Sequence, residues 1–298
     1  MTNITLKQLR YFEAVARHGH FGRAASACAI SQPALSVQIR DLEEDLGAQL
    51  FERSARQIRL TQFGEDILSR VRGVLSGVEE LQDYARAARE SPLSRLRLGI
   101  IPTIAPYLLP RIIGHLSARH AAIDLQVRET LTSRLIEELQ ARRIDAAIVA
   151  LPISEPDLAE VPLFDEDFVL VRPVADAGKP VPDGDTLSRM RLLLLEEGHC
   201  FRDQALSFCS LQPGVPRDGL DGSSLTTLVQ MVAAGIGVTL IPDMAVGVEA
   251  KGAAVDVARF ARPVPRRSVG MVWRKASPLQ ESFAEIAETV REAAATER

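Results

Sequence analysis

The sequence predicts a mixed α/β protein in three parts: a small helical head, one long connecting helix, and a larger domain of alternating strands and helices. Three patterns support this division. Short amphipathic segments fill the first sixty residues, an apolar repeat with 4-3-4 spacing runs through residues 67–88, and strand and helix patterns alternate after Pro92. A chain of 298 residues is long enough for two or three compact units.

Composition and charge are those of an ordinary globular protein. Hydrophobic residues make up 46% of the chain and charged residues 25%. The chain does not begin with an apolar signal core, and its longest apolar run, Met231–Pro242, is too short to span a bilayer. We therefore expect a cytoplasmic protein with no membrane partner. The net charge is −4, yet eight basic and six acidic groups give residues 1–60 a net charge of +2, which suits contact with nucleic acid.

Three helices are predicted in the head. Residues 5–17 place apolar side chains on one face, and residues 21–28 are small enough to permit close packing. Ser31 is a good N-cap for a third helix, and Pro33 suits its first turn. Apolar residues recur at 4-3-4 spacing along this third helix and are expected to face the core: Leu35, Ile39, Leu42 and Leu46.

The opposite face of the third helix is small, partly apolar and carries one arginine, so it can enter a major groove. Serine and arginine can bind base edges there, while proline and valine can contact thymine methyl groups. The next segment, residues 51–61, is predicted to be a wing whose arginines meet phosphates or the minor groove. We therefore predict a winged helix-turn-helix DNA-binding domain over residues 1–60. Its predicted DNA-contacting residues are Ser31, Gln32, Pro33, Ser36, Val37, Arg40, Arg53 and Arg56. On spacing alone, a small helical domain with a solvated polar face and a basic hairpin is the alternative.

The connecting helix is predicted over residues 61–91. Its apolar residues fall at 67, 71, 74, 78, 81, 85 and 88, a heptad repeat. So narrow an apolar stripe predicts a partner helix, hence a homodimer and a pseudo-palindromic DNA site. The alternative is that this helix packs against its own C-terminal domain.

A β-α-β-α-β pattern follows. Its predicted elements are the strand Leu96–Ile101, the helix Tyr107–Ala118, the strand Ile123–Glu129, the helix Ser133–Arg142 and the strand Ala146–Leu151. This order predicts a largely parallel sheet with ligands at the carboxyl ends of its strands. Thr103 and Thr132 stand at two such ends, where their hydroxyls either bind a small polar ligand or cap the following helices.

The chain has three cysteines, Cys28, Cys200 and Cys209, too few for a closed disulfide framework. Cys28 is expected to be a buried structural thiol. Cys200 lies near a predicted helix N-terminus between His199 and Arg202, and such a terminus and a nearby positive charge both favour the thiolate. A thiolate is the form that peroxide oxidises to a sulfenic acid, which a second thiol can attack.

A helix over residues 200–209 would hold Cys200 and Cys209 apart. Nine residues at about 1.5 Å each separate the two Cα atoms by roughly 13 Å, whereas a disulfide requires about 4.4–6.8 Å. Oxidation must therefore unravel the helix, which makes the segment a two-state element. On spacing alone, two unrelated buried thiols in a ligand-binding sensor are an equal alternative.

The head resembles that of the LysR family of transcription regulators. Four motifs carry the resemblance, in order: Phe21-x-Arg-Ala-Ala, Ser31-Gln-Pro-Ala-Leu-Ser, Leu42-Glu-x-x-Leu-Gly47 and Leu50-Phe-Glu-Arg53. The resemblance implies double-stranded promoter DNA and RNA polymerase as partners, a homodimer or homotetramer, and a cytoplasmic protein that is nucleoid-associated when bound to DNA. It also implies a periplasmic-binding-protein-like α/β sensor of two subdomains over residues 92–298. Subdomain I would be residues 92–164 plus 268–298, and subdomain II residues 165–267.

The sensor resembles the OxyR branch of that family, which senses hydrogen peroxide. The matching motifs include Gly198-His-Cys200, Arg202-Asp-Gln-Ala, Phe208-Cys209, Ile101-Pro-Thr103 and Val161-Pro-Leu-Phe-Asp-Glu166. The resemblance implies that peroxide attacks Cys200, that Cys209 resolves the product as a disulfide, and that thioredoxin or glutaredoxin reduces it. It implies a peroxide pocket of Thr103, Thr132, His199, Arg202 and Asp203.

Two other functions compete with this hypothesis. One is a LysR-type regulator that reversibly binds a small anionic metabolite in the cleft between the subdomains. The other is a thiol peroxidase, which would leave a DNA-reading head idle. We expect no enzyme and no cofactor, because no phosphate loop, Rossmann fingerprint or Ser-His-Asp order appears in a convincing place. We expect no metal site, because the histidine pairs His18/His20 and His115/His120 lack cysteine or carboxylate partners at metal spacing.

Overall fold

The computed structural model describes residues 4–53, 58–87, 95–121, 123–209, 221–261 and 264–295. The chain divides into two compact units, Met1–Ala85 and Arg86–Arg298. The predicted contact residue Arg56, the last predicted heptad position Ala88 and the predicted end of the connecting helix at residue 91 lie outside the described residues. No helix in the described part of the chain is long and apolar enough to cross a membrane.

The described residues of the first unit form four helices and a short antiparallel hairpin. Its elements are α1 (Leu6–His18), α2 (Phe21–Ala27), α3 (Gln32–Leu46), β1 (Phe51–Arg53), β2 (Ile58–Leu60) and α4 (Gln62–Ala87). Ser31 caps α3 by accepting a hydrogen bond from the Ala34 N–H at 3.3 Å, with Pro33 in the first turn. The carboxylate of Glu43 accepts from the Leu50 N–H at 2.8 Å, which ties the hairpin to α3. The winged helix-turn-helix predicted from the sequence is thus confirmed.

Part of the apolar stripe of α4 is exposed within a single chain. Val71 is buried against the head, but Val74 is 50% exposed and Leu81 is 71% exposed. Tyr84, which is not part of the predicted repeat, is also 71% exposed. Exposed apolar side chains in a row along one helix are typical of a surface that another helix covers.

The second unit is built on one nine-stranded sheet. Its strands are β3 (Arg95–Ile100), β4 (Asp124–Glu129), β5 (Ala146–Leu151), β6 (Leu158–Pro173), β7 (Leu192–Leu195), β8 (Asp221–Gly222), β9 (Val238–Pro242), β10 (Val255–Arg259) and β11 (Arg266–Arg274). Its α-helices are α5 (Ala105–Arg119), α6 (Thr132–Gln140), α7 (Gly184–Arg189), α8 (Cys200–Phe208), α9 (Leu225–Ala233), α10 (Val246–Glu249) and α11 (Gln280–Ala295). The strand order is β4-β3-β5-β11-β6-β9-β7-β8, with β10 also paired to β6.

The long strand β6 joins two subdomains. Its first part, up to Asp167, pairs with β11. Its second part pairs with β9 from Phe168 onwards, and with β10 from Val169 onwards. One buried core gathers around β3, β5, β11, α5, α6 and α11. The other gathers around the second part of β6 with β7, β9, α8 and α9. This two-subdomain α/β architecture is the one implied by the family resemblance.

The predicted elements of the first subdomain differ from the observed ones only at their ends. Helix α5 begins at Ala105, two residues before the prediction, and Pro106 lies in its first turn, where no backbone donor is required. It also continues through Pro110. Helix α6 begins at Thr132, one residue early, so that threonine is the first helical residue rather than the cap.

Candidate redox site and DNA-binding face

Cys200 lies in a narrow crevice at the carboxyl end of β3, where α6 and α8 both begin. Residues Thr103, Thr132 and His199 line this crevice together with Cys200, as do the adjoining Ile101, Pro102, Leu131 and Gly198. Cys200 packs against the core of the first subdomain, although it belongs to the second. The structure therefore brings three of the five predicted pocket residues to the predicted reactive thiol.

The turn before α8 sets the position of Cys200. Gly198 has a φ of +94°, a left-handed conformation that favours glycine, and an added Cβ would lie 3.1 Å from Leu131 Cδ1. His199 then occupies the N-cap position, and Cys200 is the first residue of the helix. The sulfur is therefore attached at the N-terminus of the helix, where backbone N–H groups lack partners four residues earlier in the chain.

Cys209 lies at the other end of the same helix. It occupies the C-cap of α8 and is 1% exposed within the core of the second subdomain. Both residues are thiols in this structure, as is Cys28. Because Cys209 follows Cys200 by nine positions along an intact helix, the two Cα atoms are about 13 Å apart. This conformation is that of a reduced pair.

The two threonine hydroxyls differ in their surroundings. Thr132 Oγ1 is buried and, among the described residues, has no hydrogen-bond partner. Thr103 Oγ1 accepts a hydrogen bond from Arg267 Nη1 at 2.8 Å, and the Thr103 carbonyl accepts from Arg267 Nη2 at 3.0 Å. One hydroxyl is thus unsatisfied and the other is fixed by a buried cation.

Arg267 is a site residue that the sequence analysis missed. Its side chain is 0% exposed, donates from Nε to Glu166 Oε2 at 2.8 Å, and lies 5.7 Å from the centroid of the Phe201 ring. Phe201 directly follows Cys200 and contacts Phe168 edge-to-face at 4.8 Å between ring centroids. A pair of arginines before the apolar run of β11 was the available signal, but its burial depends on the crossing of β6 and β11.

Arg202 and Asp203 do not line the crevice. The Arg202 Nη1 atom donates to the Leu195 carbonyl at 2.6 Å and lies 2.9 Å from Asp221 Oδ2, so the guanidinium is bound to the ends of β7 and β8. Asp203 is exposed on α8. The expected cation beside Cys200 is therefore engaged elsewhere in this conformation, because the first turn of α8 directs Arg202 towards the second subdomain.

Burial changes the titration of two predicted groups. It lowers the pKa of His199, against a smaller opposing effect of Glu196, so the imidazole facing the crevice is neutral at pH 7. Cys28 is half-buried rather than fully buried as predicted, and this partial burial raises the pKa of its thiol, which keeps it protonated. No group of three or more metal-ligating side chains occurs among the described residues.

A cleft of about 390 Å³ adjoins the crevice and shares Thr103 and His199 with it. Two carboxylates, Glu129 and Glu249, line this cleft, and the described residues that line it include neither lysine nor arginine. Burial and a 2.7 Å hydrogen bond to Glu249 raise the pKa of Tyr107, so its phenol stays protonated. The walls of the cleft are therefore acidic and hydroxylic, which opposes the binding of an anionic metabolite.

The predicted DNA-reading face is exposed on α3. The residues Ser31, Gln32, Pro33, Ser36, Val37 and Arg40 are all exposed. Val37 is 42% exposed, a high value for an apolar side chain. Arg40 lies 3.8 Å from Glu44 in a solvated pair that contributes little stability, so its guanidinium can turn to another acceptor. Arg53 ends β1, at the start of the predicted wing tip.

Comparison with known proteins places both units in one family. Residues 6–65 match the model of the bacterial regulatory helix-turn-helix protein, lysR family, and residues 89–295 match the LysR substrate binding domain. The chain is 42% identical over 294 residues to a probable hydrogen peroxide-inducible genes activator of Streptomyces viridosporus, covering 97% of this chain and 94% of that one. It is 40% identical to the DNA-binding transcriptional dual regulator OxyR of Escherichia coli K12, with coverage of 97% and 95%.

Solved structures give the same assignment. A full-length OxyR variant from Pseudomonas aeruginosa superposes with a TM-score of 0.74 at 37% identity, covering 98% of this chain and 96% of that one. A hydrogen peroxide-bound OxyR mutant from Corynebacterium glutamicum gives a TM-score of 0.66 at 36% identity, with coverage of 97% and 92%. From the matches to both units and the near-complete coverage of these relatives, the chain belongs to the LysR family of bacterial regulators, and within it to the OxyR branch.

Proposed function

We propose that the protein is a DNA-binding transcription regulator that senses hydrogen peroxide by oxidation of Cys200 and a reversible Cys200–Cys209 disulfide. One observation carries this proposal: Cys200 begins α8 in a crevice with two threonine hydroxyls, and Cys209 ends the same helix. The relatives named as peroxide-inducible activators and as OxyR support it. We propose that the regulator is not an enzyme, because the outcome of each oxidation of Cys200 is a change in DNA binding and not continuous turnover of peroxide.

The first chemical step is attack of the Cys200 thiolate on one peroxide oxygen. An S–O bond forms, the O–O bond breaks, and hydroxide leaves and takes up a proton to become water. Sulfur loses two electrons and becomes a sulfenic acid, while the peroxide is reduced. Thr132 Oγ1, unpartnered among the described residues, and the hydroxyl of Thr103 can bind the peroxide oxygens and stabilise the leaving hydroxide. Neutral His199 can accept or relay a proton.

The second step joins the two sulfurs. The Cys209 thiol attacks the Cys200 sulfenic sulfur, an S–S bond forms and water leaves. Helix α8 must unwind first, since its length exceeds the span of a disulfide. A dithiol reductant of the thioredoxin or glutaredoxin type then returns both residues to thiols, with its own pair becoming the disulfide. Unwinding frees Arg202 from Leu195 and Asp221, so Arg202 and Asp203 reach the pocket only outside the reduced conformation.

The domain boundaries of the proposal are those of the sequence analysis: residues 1–60, 61–91 and 92–298. Every buried residue of the first sensor core falls within residues 92–164 or 268–298, which supports the division into subdomains. The exposed apolar stripe of α4 supports a homodimer, from which a tetramer can form. Refolding of α8 would change the packing between sensors, and thereby the spacing of two heads on promoter DNA, where RNA polymerase is the further partner. The proposed location is the cytoplasm, on the nucleoid when bound to DNA.

The competing functions fit the described residues less well. In the 390 Å³ cleft beside the crevice, an anionic metabolite would meet Glu129 and Glu249 and no lysine or arginine among the described lining. In a larger cavity of the sensor, Arg259 and Arg266 are already paired with the carboxylates of Asp243 and Asp167. A thiol peroxidase would not need an exposed reading face on α3. Peroxide turnover with a thioredoxin that continued undiminished without residues 1–90 would favour the peroxidase instead.

The two redox forms are expected to protect promoter DNA differently. Full-length protein is prepared reduced or treated with stoichiometric peroxide, and each form is footprinted on the promoter of its own regulon at one salt concentration, since phosphate contacts depend on salt. The proposal predicts two half-sites in both forms with a changed boundary or spacing after oxidation. Identical footprints of the two forms would contradict it.

Arg40→Ala is expected to weaken specific DNA binding by about 10- to 100-fold, on the order of the 1–3 kcal/mol of one base contact. The side chain is 59% exposed and its pair with Glu44 is solvated, so the fold should be unaffected. Arg119→Ala, which removes the same charge from the sensor, is the control for net charge. Equal affinities of the two variants for the specific DNA site would show that Arg40 does not contact bases.

A further inference from the structure

We propose that Glu166 is a positioning residue for the reaction of Cys200 with peroxide, acting through Arg267 on the hydroxyl of Thr103. This inference rests on the proposed function and adds to it the residue that sets the direction of one hydrogen bond in the pocket. Glu166 is not among the residues that line the crevice.

Glu166 holds the Arg267 side chain in one orientation. Oε2 of Glu166 lies 2.8 Å from Nε and 2.7 Å from Nη2 of Arg267, while Oε1 accepts from the Met244 N–H at 3.0 Å. The side chains of Glu166 and Arg267 are 3% and 0% exposed. A carboxylate bound on both oxygens and shielded from water has one available position, and the planar guanidinium follows it.

The fixed guanidinium determines what the Thr103 hydroxyl can do. A hydroxyl has one proton to donate and two lone pairs to accept with. Arg267 Nη1 donates to Oγ1 of Thr103, so this hydroxyl serves Arg267 as an acceptor and keeps its own proton. None of the described residues accepts that proton. The proton is therefore available to a ligand oxygen in the crevice that Cys200 lines.

A donor directed at the peroxide is what the first chemical step requires. Negative charge develops on the leaving oxygen as the O–O bond breaks, and a donor already in place stabilises that charge without reorganising. If Arg267 moved, the Thr103 hydroxyl would be able to rotate and accept instead of donate. Glu166 thus acts on the rate of oxidation without contacting any reacting atom.

Substitution of Glu166 is expected to change the rate of the peroxide reaction in opposite directions, depending on whether Glu166 acts through its charge or by positioning Arg267. The inference can therefore be tested. Glu166→Gln removes a negative charge near the thiol, so an effect of charge alone would favour the thiolate and speed every reaction of Cys200. Glu166→Asp keeps the charge but withdraws it by one methylene from Arg267. Loss of positioning would slow the peroxide reaction in both variants and leave reactions that need no oxygen donor unchanged.

The experiment uses reduced full-length protein, and two second-order rate constants at Cys200 are measured: one with hydrogen peroxide and one with iodoacetamide, which needs the thiolate alone. For Glu166→Asp and Glu166→Gln we expect the peroxide constant to fall about tenfold or more and the iodoacetamide constant to stay equal or rise. Thermal unfolding shows which variants are folded. If the Glu166→Gln variant is not folded, the comparison is made with Glu166→Asp. Asp167→Asn, on the same strand with an exposed side chain paired to Arg266, is the control and should react as the parent protein does.

A double-mutant cycle with Thr103→Val isolates the coupling. We expect Thr103→Val to slow peroxide oxidation and Glu166→Asp to add no further slowing to it. Independent, multiplicative effects would overturn the inference, as would parallel loss of both rate constants or a parent-like peroxide constant in a folded variant. Failure of the proposed function has a different signature, since peroxide would then oxidise Cys200 of the parent protein no faster than Cys28.

Discussion

Cys200→Ser is expected to lose peroxide reactivity by at least about 10³-fold, because a serine hydroxyl supplies no thiolate nucleophile. Helix α8 and its cap should remain, since serine suits the start of a helix. The rate constant with peroxide is measured by rapid quench and mass spectrometry, and the response is read from the promoter. Cys209→Ser should react at the parent rate but stop at the sulfenic acid, seen as one added oxygen on Cys200.

Cys28→Ser is the matched control for both variants. Burial raises the pKa of Cys28 and holds that thiol protonated, so its removal should change neither the rate constant nor the promoter response. A Cys200→Ser protein that still switched its promoter fully with peroxide would refute the assignment of Cys200 as the sensing residue.

Arg267→Met is expected to lower the free energy of unfolding of the reduced sensor by about 3–5 kcal/mol, because it leaves the Glu166 carboxylate buried without a counter-charge. The change also removes the donors to the Thr103 hydroxyl and carbonyl. Urea unfolding followed by far-UV circular dichroism measures the loss. Replacing both partners, as in Glu166→Leu with Arg267→Met, should recover much of the stability but not the rate of oxidation.

The neighbouring Arg266→Met is the control for that measurement. Arg266 precedes Arg267 on β11, is 58% exposed and pairs with Asp167 at 3.2 Å. Such solvated pairs are worth about 0–1 kcal/mol, so the variant should unfold close to the parent protein. Equal destabilisation by the two substitutions would mean that the buried pair has no special role.

The head could be predicted almost completely because its signals are local. Ser31, Pro33 and Gly47 mark the ends of α3 within the segment itself, and the apolar spacing of that helix decides which face is exposed. The same holds for the start of α8 at Cys200, where Gly198 turns the chain. The helical period determines which side chains share a face of one helix, independently of the rest of the fold.

The site around Cys200 could be predicted only in part because it depends on long-range pairing. The hydroxyl of Thr103 meets Arg267 across 164 positions of sequence, and only the pairing of β6 with β11 sets Glu166 against it. Arg202 was expected beside the thiol on nearness in sequence, but side chains two apart on a helix point in different directions. Nearness in sequence therefore identified the two thiols, but it did not identify Arg267, the cation that binds Thr103 in their pocket.

The central claim is that peroxide links Cys200 to Cys209 by unwinding α8, and one measurement tests it most directly. Reduced protein and protein treated with stoichiometric peroxide are compared by hydrogen exchange with peptide mass spectrometry, which reports disulfide linkage and amide protection of residues 200–209 together. We predict a Cys200–Cys209 linkage in the oxidised protein and loss of the slow exchange of α8, while α9 and α11 remain protected. An α8 that stayed protected after complete oxidation, or peptides with Cys200 oxidised and Cys209 still a thiol, would contradict the account.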